Sequence, residues 1–442
     1  MSELDLEIAR WSTHLRRNPA LADADVEEME AHLRDRVADL VDRGLDEDEA
    51  FLIAVKRMGN VDAIAQEFAR EHAERLWKQL VPPPAAPPGV PGAELAVVLA
   101  LAAGAALVSR AVAEAFAPER AALCASLLVG PFLGAYFAWK RALSTDVTAV
   151  LVAVLVVTGT VVNSYPFDAD DATLVLVILH LPVVVWFVVG VAYAGGDWRS
   201  HQQRMHLVRF TGEWVVYYTL LALGGGVLVG LTMAAFAAID VDASRVLVEW
   251  VLPLGAAGAV LVAAWLVEAK QAVIENIAPV LTRVFTPLTI LMLAAVLVAF
   301  AARPGLVAAD RDLLILMAAI LVLVLGLLLY SVSARDPLEP PRLADTLQLV
   351  LVALAIAVDA VVLVAMVARI AEFGPSPNKV AALGLNLVIL VNLARSAWLT
   401  LGFLRRTRPF ADLERWQTTY LPAYPAWAAV VALVLPPVFA FS

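Results

Sequence analysis

Polar and apolar positions divide the chain into two unlike parts. From residue 93 onward, apolar runs of 17–26 residues follow one another, each long enough to cross roughly 30 Å of hydrocarbon. Eleven are counted: 94–115, 121–139, 147–164, 172–194, 214–237, 246–267, 285–302, 312–332, 346–370, 380–402 and 423–441. Runs of that length predict helices, because a spanning segment must satisfy its own backbone hydrogen bonds. The last run is interrupted by Pro436-Pro437, so ten spans is the alternative count. The fold expected is all-α: a polytopic helical bundle behind a small N-terminal helical domain.

Residues 1–80 carry the shorter rhythm of a soluble bundle. Leu4 to Arg17 is periodic and ends at Asn18-Pro19. Asp25 with Glu28 forms a capping-box pattern, and Met29, Leu33, Val37 and Leu40 then mark one helix face. Gly44 stops that helix. Asp46 and Glu49 open a third, which runs to Met58-Gly59, and a fourth carries Ile64, Phe68 and Trp77. Four helices in so short a stretch have a marginal core and gain from a partner. Residues 81–92, VPPPAAPPGVPG, hold six prolines and predict a semi-rigid spacer. The boundaries expected are therefore 1–80, 81–92 and 93–442.

Composition agrees with this partition. Of 442 residues, 61% are hydrophobic and 17% charged, with a mean hydropathy of +0.79. Such values exclude a soluble enzyme and a disordered chain. The formal charge of −10 is concentrated at the front, where residues 1–80 hold 11 Lys/Arg against 19 Asp/Glu. An acidic head argues against a nucleic-acid partner. The single cysteine, Cys124, excludes an intrachain disulfide, and the polar start predicts no cleavable signal peptide.

With the head taken as cytoplasmic, the inner loops hold thirteen basic residues, from Lys140 and Arg141 to Arg405, Arg406, Arg408 and Arg415, and the outer ones seven. That bias satisfies the positive-inside rule and, with eleven spans, places the C-terminus outside. A bacterial cytoplasmic membrane is the expected location. The segment from Asp197 to Glu213 reads either as a short basic surface helix or as a plain loop. Gly130-xxx-Gly134 and Gly226-xxx-Gly230 predict close helix approaches. Arg245 and Glu249 read as an interfacial pair; Glu268, Lys270 and Glu275 read as solvated.

Two stretches resemble known families. The run Gly44-Leu45-Asp46-Glu47-Asp48-Glu49-Ala50-Phe51, with Ala54, Met58-Gly59-Asn60 and Ile64-Ala65, resembles the permease prefix domain, also described as a HAAS-type signalling domain. Glu30-Ala31-His32-Leu33-Arg34-Asp35 fits its preceding helix. The resemblance implies a cytoplasmic interaction module without catalytic residues. The short outer loops depart from macrolide-exporter-type permeases, which carry a large periplasmic domain. Arg369-Ile370-Ala371-Glu372-Phe373-Gly374, then Pro377-Asn378-Lys379-Val380 and Leu383, is similar to a segment of the DUF4153/DUF4173 membrane proteins, with Phe373 in place of Tyr and Lys379 in place of Arg. That resemblance implies architecture and no mechanism.

No HExxH, GxSxG, GxGxxG, EF-hand or phosphate-loop motif occurs in its required context, and the histidines lack metal-ligand spacing, so no catalytic residue, metal or other cofactor is expected. What remains are polar residues at membrane depth, which are functional candidates by default. Asp359 lies mid-span, and Asn386, Asn392 and Arg395 line the next span. Antiparallel packing puts Asp359 between the levels of Asn386 and Asn392 and within reach of Arg395. An Asp359–Asn392–Arg395 cluster is the expectation, either as a structural ion pair or as a transport or sensing site. His180, at similar depth, is a conceivable proton relay. Two functions compete: a membrane sensor or regulatory partner whose head binds another protein, and a permease for a small solute or lipid, with proton coupling through Asp359.

Overall fold

The computed structural model describes Ile8, Ser12, Glu30, Ala31, Leu33–Val37, Leu40, Val41, Asp46, Glu49, Ala50 and Ala54 of the N-terminal part, then residues 93–239, 241–269, 277–302 and 311–441. The chain divides into two compact units, Met1–Val90 and Pro91–Ser442.

In the first unit, Ile8, Leu33, Val37, Leu40, Ala50 and Ala54 are buried together in one cluster. Leu33, Val37 and Leu40 are three rungs of the apolar ladder, one helical turn apart. The Ala50 amide donates to the Asp46 carbonyl, so Asp46 does open a helical turn. The spacer over 81–92, the fourth helix and the Met58-Gly59-Asn60 signature lie outside the described residues.

The described residues of the second unit form helices joined by turns and loops, with no strand among them. Ten helices are long and apolar enough to cross a membrane. In chain order they are α1 (Ala93–Ala115), α2 (Pro118–Lys140), α3 (Thr145–Ser164), α4 (Ala172–Tyr193), α5 (His201–Ala237), α6 (Ser244–Ala269), α7 (Ile277–Ala302), α8 (Arg311–Ala334), α9 (Leu343–Phe373) and α10 (Pro377–Leu404). The chain is an all-α polytopic bundle.

The remaining stretch is shorter and broken: α11 (Ala411–Tyr420), α12 (Ala423–Ala429), a π-helical turn Val430–Val434, and α13 (Leu435–Val438). It nevertheless travels the length of α10 in reverse. The Tyr420 hydroxyl donates to the Val388 carbonyl, and Trp427 Nε1 to that of Ala381. It ends with Phe441 against Tyr165 and Phe167, at the end of the bundle opposite Lys140 and Arg141. Pro436 and Pro437 explain the break, since neither donates an amide and each ring crowds the carbonyl one turn earlier. The π turn that precedes them widens the helix there. Pro253 follows a second π turn, Leu247–Val251 in α6, for the same reason.

Two large cores hold most of the bundle, and smaller clusters around Leu181 with Ala432 and around Ala381 with Val431 tie α4 and α10 to the final stretch. α1, α2, α4, α5 and α6 meet around Tyr136, Phe137, Val189, Phe210 and Leu261. α7 to α11 meet around Leu293, Leu321, Leu328, Ala355, Val358, Ile389 and Phe410. The first turns of α5 serve both: Leu207 and Phe210 face the first core, Met205 and Val208 the second. The basic segment expected as a surface helix or a loop is therefore the start of a continuous 37-residue helix.

At its basic end the first half is closed by an ion cluster. Lys140 joins Glu94 at 2.6 Å and Glu268 at 3.3 Å, Arg141 holds both oxygens of Glu268 at 3.0 Å, and Tyr136 donates to Glu94. Glu268, expected to be solvated, has a side chain only 3% exposed. Gly130 lets α2 and α4 touch, because any Cβ there would run into Val185. Gly226 and Gly230 meet nothing within 4 Å, so the second Gly-xxx-Gly pair packs against no helix among the described residues.

Candidate functional site

Asp359 sits in the second core on the face of α9 that carries Gln348, Val352, Ala355, Val362 and Met366. It is fully buried, and neither carboxylate oxygen finds a hydrogen-bond partner among the described residues. Asn386 is equally buried and gives its amide to the Met366 sulfur at 3.7 Å, leaving its oxygen unpartnered. Met366 lies two turns from Asp359, so Asn386 and Asp359 occupy different levels of the α9–α10 interface.

Asn392 faces elsewhere. Its amide donates to Gln417 Oε1 at 3.0 Å and Tyr424 Oη at 2.8 Å, and its oxygen accepts from Trp416 Nε1 at 2.7 Å and from the Ser396 hydroxyl at 3.3 Å. Gln417 closes the ring by donating to Ser396 at 2.7 Å. This network joins α10 to α11 and α12 with every polar group of Asn392 engaged, so it is a joint rather than a vacant site.

Arg395 does not enter the core. It lies on the exposed face of α10, with its guanidinium 4.1 Å from the Trp398 ring and 5.9 Å from that of Trp416. The expected Asp359–Asn392–Arg395 cluster is not formed: a long cationic side chain reaches the interface and stacks on an aromatic face rather than burying its charge. His180 bonds within its own helix, Nδ1 to the Leu176 carbonyl at 2.8 Å, and no hydrogen bond joins it to Asp359 among the described residues.

A removal experiment separates these roles. An unpartnered buried carboxyl costs about 1–3 kcal/mol, and an apolar replacement recovers it. Asp359→Leu is therefore expected to raise the unfolding midpoint in detergent. A lowered midpoint would mean that the carboxyl holds a partner.

Sequence reasoning missed a polar cavity of the unit. It lies at the basic end, where α5 of the first half meets α8 and α11 of the second, with a volume of about 470 Å³. His201, Gln202, His206 and Arg209 line it from α5, Ser333 and Arg335 from the end of α8, and Glu414, Arg415 and Thr418 from α11. Immediately above, the Tyr330 ring lies so close to Gly212 that any Cβ would collide with it, and Met205 and Val208 sink into the second core. The cleft is blind on that side.

Its polar groups are unequally committed. Arg335 is spent on structure: it grips Asp345 through two nitrogens at 2.8 and 3.1 Å, donates to the carbonyls of Asp336, Glu339 and Pro340, and lies over Phe403 and Phe410. Arg209 pairs with Glu213 at 3.5 Å, and His201 Nδ1 meets the Thr418 hydroxyl at 2.7 Å. Gln202, His206 and Arg415 have no such partner among the described residues and face the cleft with donors available.

Burial pushes the Glu414 carboxyl above the ordinary value of 4.5. The folded state then holds its proton more tightly than the unfolded one, so stability is full below 4.5 and falls as pH rises through the raised value. Glu414→Gln is expected to flatten that decline in a titration of the thermal midpoint between pH 4 and about 8. An unchanged slope would assign the decline to other groups.

The fold and the cleft together define an all-α, multi-pass membrane protein with a polar cavity at one end. No family model matches the chain, and neither a curated protein nor a solved structure does.

Proposed function

We propose that the protein is a membrane-embedded sensor or regulatory partner of the bacterial cytoplasmic membrane. The transmembrane unit receives a small polar ligand in the basic-end cleft, and the N-terminal unit engages another protein. The observation that carries this reading is the blind cleft between the two helical halves. Free donors of Gln202, His206 and Arg415 face it, and Tyr330 on Gly212 seals it. A cavity with uncommitted donors suits the binding of a polar ligand. The charge bias of the loops supports a cytoplasmic head, and the resemblance of the head to a permease prefix domain supports a role in recruiting a partner.

The test is capture from native membranes. The full chain is expected to crosslink through residues 1–80 to one protein at stoichiometric yield. A His206→Gln/Arg415→Gln variant of normal membrane abundance is expected to change that yield, and Arg245→Gln, outside the cleft, to leave it unchanged. A yield indifferent to the cleft variant would break the link between cleft and head.

One observation favours a permease: the unpartnered Asp359 carboxyl in the second core. If reconstituted chain carries a solute and Asp359→Asn abolishes the flux while the fold persists, that reading replaces the sensor.

A further inference from the structure

A lone guanidinium marks the edge where α10 meets α11. Arg395 lies inside the apolar run 380–402, more than two turns before Leu404 ends α10, on the face that the bundle leaves exposed. A charge placed there must meet a counter-charge or reach the headgroups. Arg395 has no ion pair and donates no hydrogen bond; its contacts are the rings of Trp398 at 4.1 Å and Trp416 at 5.9 Å. Stacking occupies the flat face of a guanidinium and leaves its five N–H groups, which lie in the plane, open to an acceptor.

The fold brings a second cation to the same ring. After α10 the chain reverses through Arg406, whose φ is +56°, and the amide and hydroxyl of Thr407 donate to the Gly402 carbonyl at 2.9 and 3.0 Å. Gly402 leaves room for the Arg408 stem, which comes within 2.8 Å of where a Cβ would stand. The Arg408 guanidinium then lies 4.0 Å from the Trp398 ring. Its ion pair is with Asp412 at 3.6 Å, too long for a hydrogen bond. The other acid of α11, Glu414, lines the cleft. Trp416 is fixed beside the pair by its bond to Asn392. Two cations gathered on one ring repel each other, and an anion between them relieves that repulsion. Toward mid-membrane, Val391 and Leu387 continue the same exposed face one helical turn at a time.

We propose that this edge of α10 and α11 holds an anionic phospholipid, its phosphate gripped by Arg395 and shared with Arg408, its acyl chain laid along Val391 and Leu387. A guanidinium fork matches two phosphate oxygens. Tryptophan rings settle at headgroup level, and the exposed apolar side chains run from there into hydrocarbon. A free phosphate meets the forks but leaves Val391 and Leu387 uncovered. A zwitterionic lipid brings its own ammonium, which the two guanidiniums repel. The assignment stands apart from the sensor reading, since Arg395, Trp398 and Arg408 line no part of the cleft.

The experiment uses the full chain in nanodiscs of phosphatidylcholine, doped with a trace of phosphatidylglycerol or phosphatidylcholine that carries a diazirine in its acyl chain. The phosphatidylglycerol probe is expected to label the peptide spanning 385–398 in preference to the phosphatidylcholine probe. Arg395→Gln is expected to reduce that labelling about tenfold, the worth of roughly one charge-assisted contact, and to leave the phosphatidylcholine probe unchanged. Arg395→Lys keeps the charge without the fork and is expected to fall between the two. Arg245→Gln, at the start of α6, is expected to change nothing. Arg395 donates no hydrogen bond, so its replacement strands no partner, and an unchanged unfolding midpoint in detergent verifies the fold. If Arg395→Gln nevertheless fails to fold, Arg408→Gln carries the test, with a smaller loss of the same labelling expected. Equal labelling by the two probes, labelling unaffected by either arginine variant, or full competition by inorganic phosphate alone would overturn the assignment. So would a lipid-free dimer that Arg395→Gln dissolves, since the counter-charge would then come from a second copy.

Discussion

Arg335→Gln is expected to destabilise the second helical half by about 3–5 kcal/mol, the usual cost of removing one partner from a buried ion pair. Asp345, 4% exposed, would keep its bond from the Arg342 amide but lose both guanidinium contacts. The carbonyls of Asp336, Glu339 and Pro340 would lose their common donor, and with it the clamp that folds the α8–α9 turn. Lysine cannot substitute, because one ammonium cannot bind a carboxylate bidentately and cap three carbonyls while stacking on Phe403 and Phe410. Arg335→Lys should therefore lose most of what Arg335→Gln loses. The measurement is a double-mutant cycle with Asp345→Asn, read by unfolding in detergent. A large part of the loss should disappear in the double variant, since no charge is then stranded. Additive losses would show that the ring and carbonyl contacts dominate over the pair.

The helices were legible because their signal is local. Run length separates spanning segments from the head, and three rungs of the Leu33–Val37–Leu40 ladder are visible in one short window. The broken final stretch was legible too, through Pro436-Pro437. The antiparallel α9–α10 pairing was legible as well, from the short turn that joins them. Met366 meets Asn386 across the antiparallel α9–α10 pair, which brings Asp359 to the level of Asn392 and Leu393.

Rotation about the helix axis was the quantity that failed. At 3.6 residues per turn, a residue four on from Asn392 lies about 40° away and one three on lies about 60° to the other side. Both spacings count as one face, yet Ser396 shares the network with Asn392 and Arg395 stacks outside on Trp398. Asp359 fails the same way, turning into the core formed by α7 to α10. The ion cluster of Arg141 and Glu268 and the basic-end cleft rest on residues more than a hundred positions apart, and no window of sequence contains that pairing. The Arg335–Asp345 clamp also went unread, although its signal is local: opposite charges ten residues apart flank the prolines of a tight return.

Asn392→Leu is expected to release the C-terminal stretch from α10. Asn392 makes three bonds to α11 and α12, through Gln417, Trp416 and Tyr424. Interhelical bonds in membranes average about 0.6 kcal/mol each, so the bonds alone account for roughly 2 kcal/mol. Leucine adds a further penalty, because it leaves the Trp416 indole, the Tyr424 hydroxyl and one side of Gln417 without partners in a buried place. A total of about 3–4 kcal/mol follows. The loss should be local before it is global. The anchors further along, Tyr420 on Val388 and Trp427 on Ala381, hold the same stretch, and Trp427 fills the space left by Gly384 so closely that no Cβ fits there. Hydrogen exchange should therefore rise first over 411–424, ahead of α7 to α9. Asn392→Asp keeps an acceptor for Trp416 and offers one to the Tyr424 hydroxyl but removes the amide donor, and it is expected to lose the Gln417 bond while retaining part of the protection. Exchange that rises uniformly across the second half would contradict this order, since it would place Asn392 in the common core rather than at the joint of the final stretch.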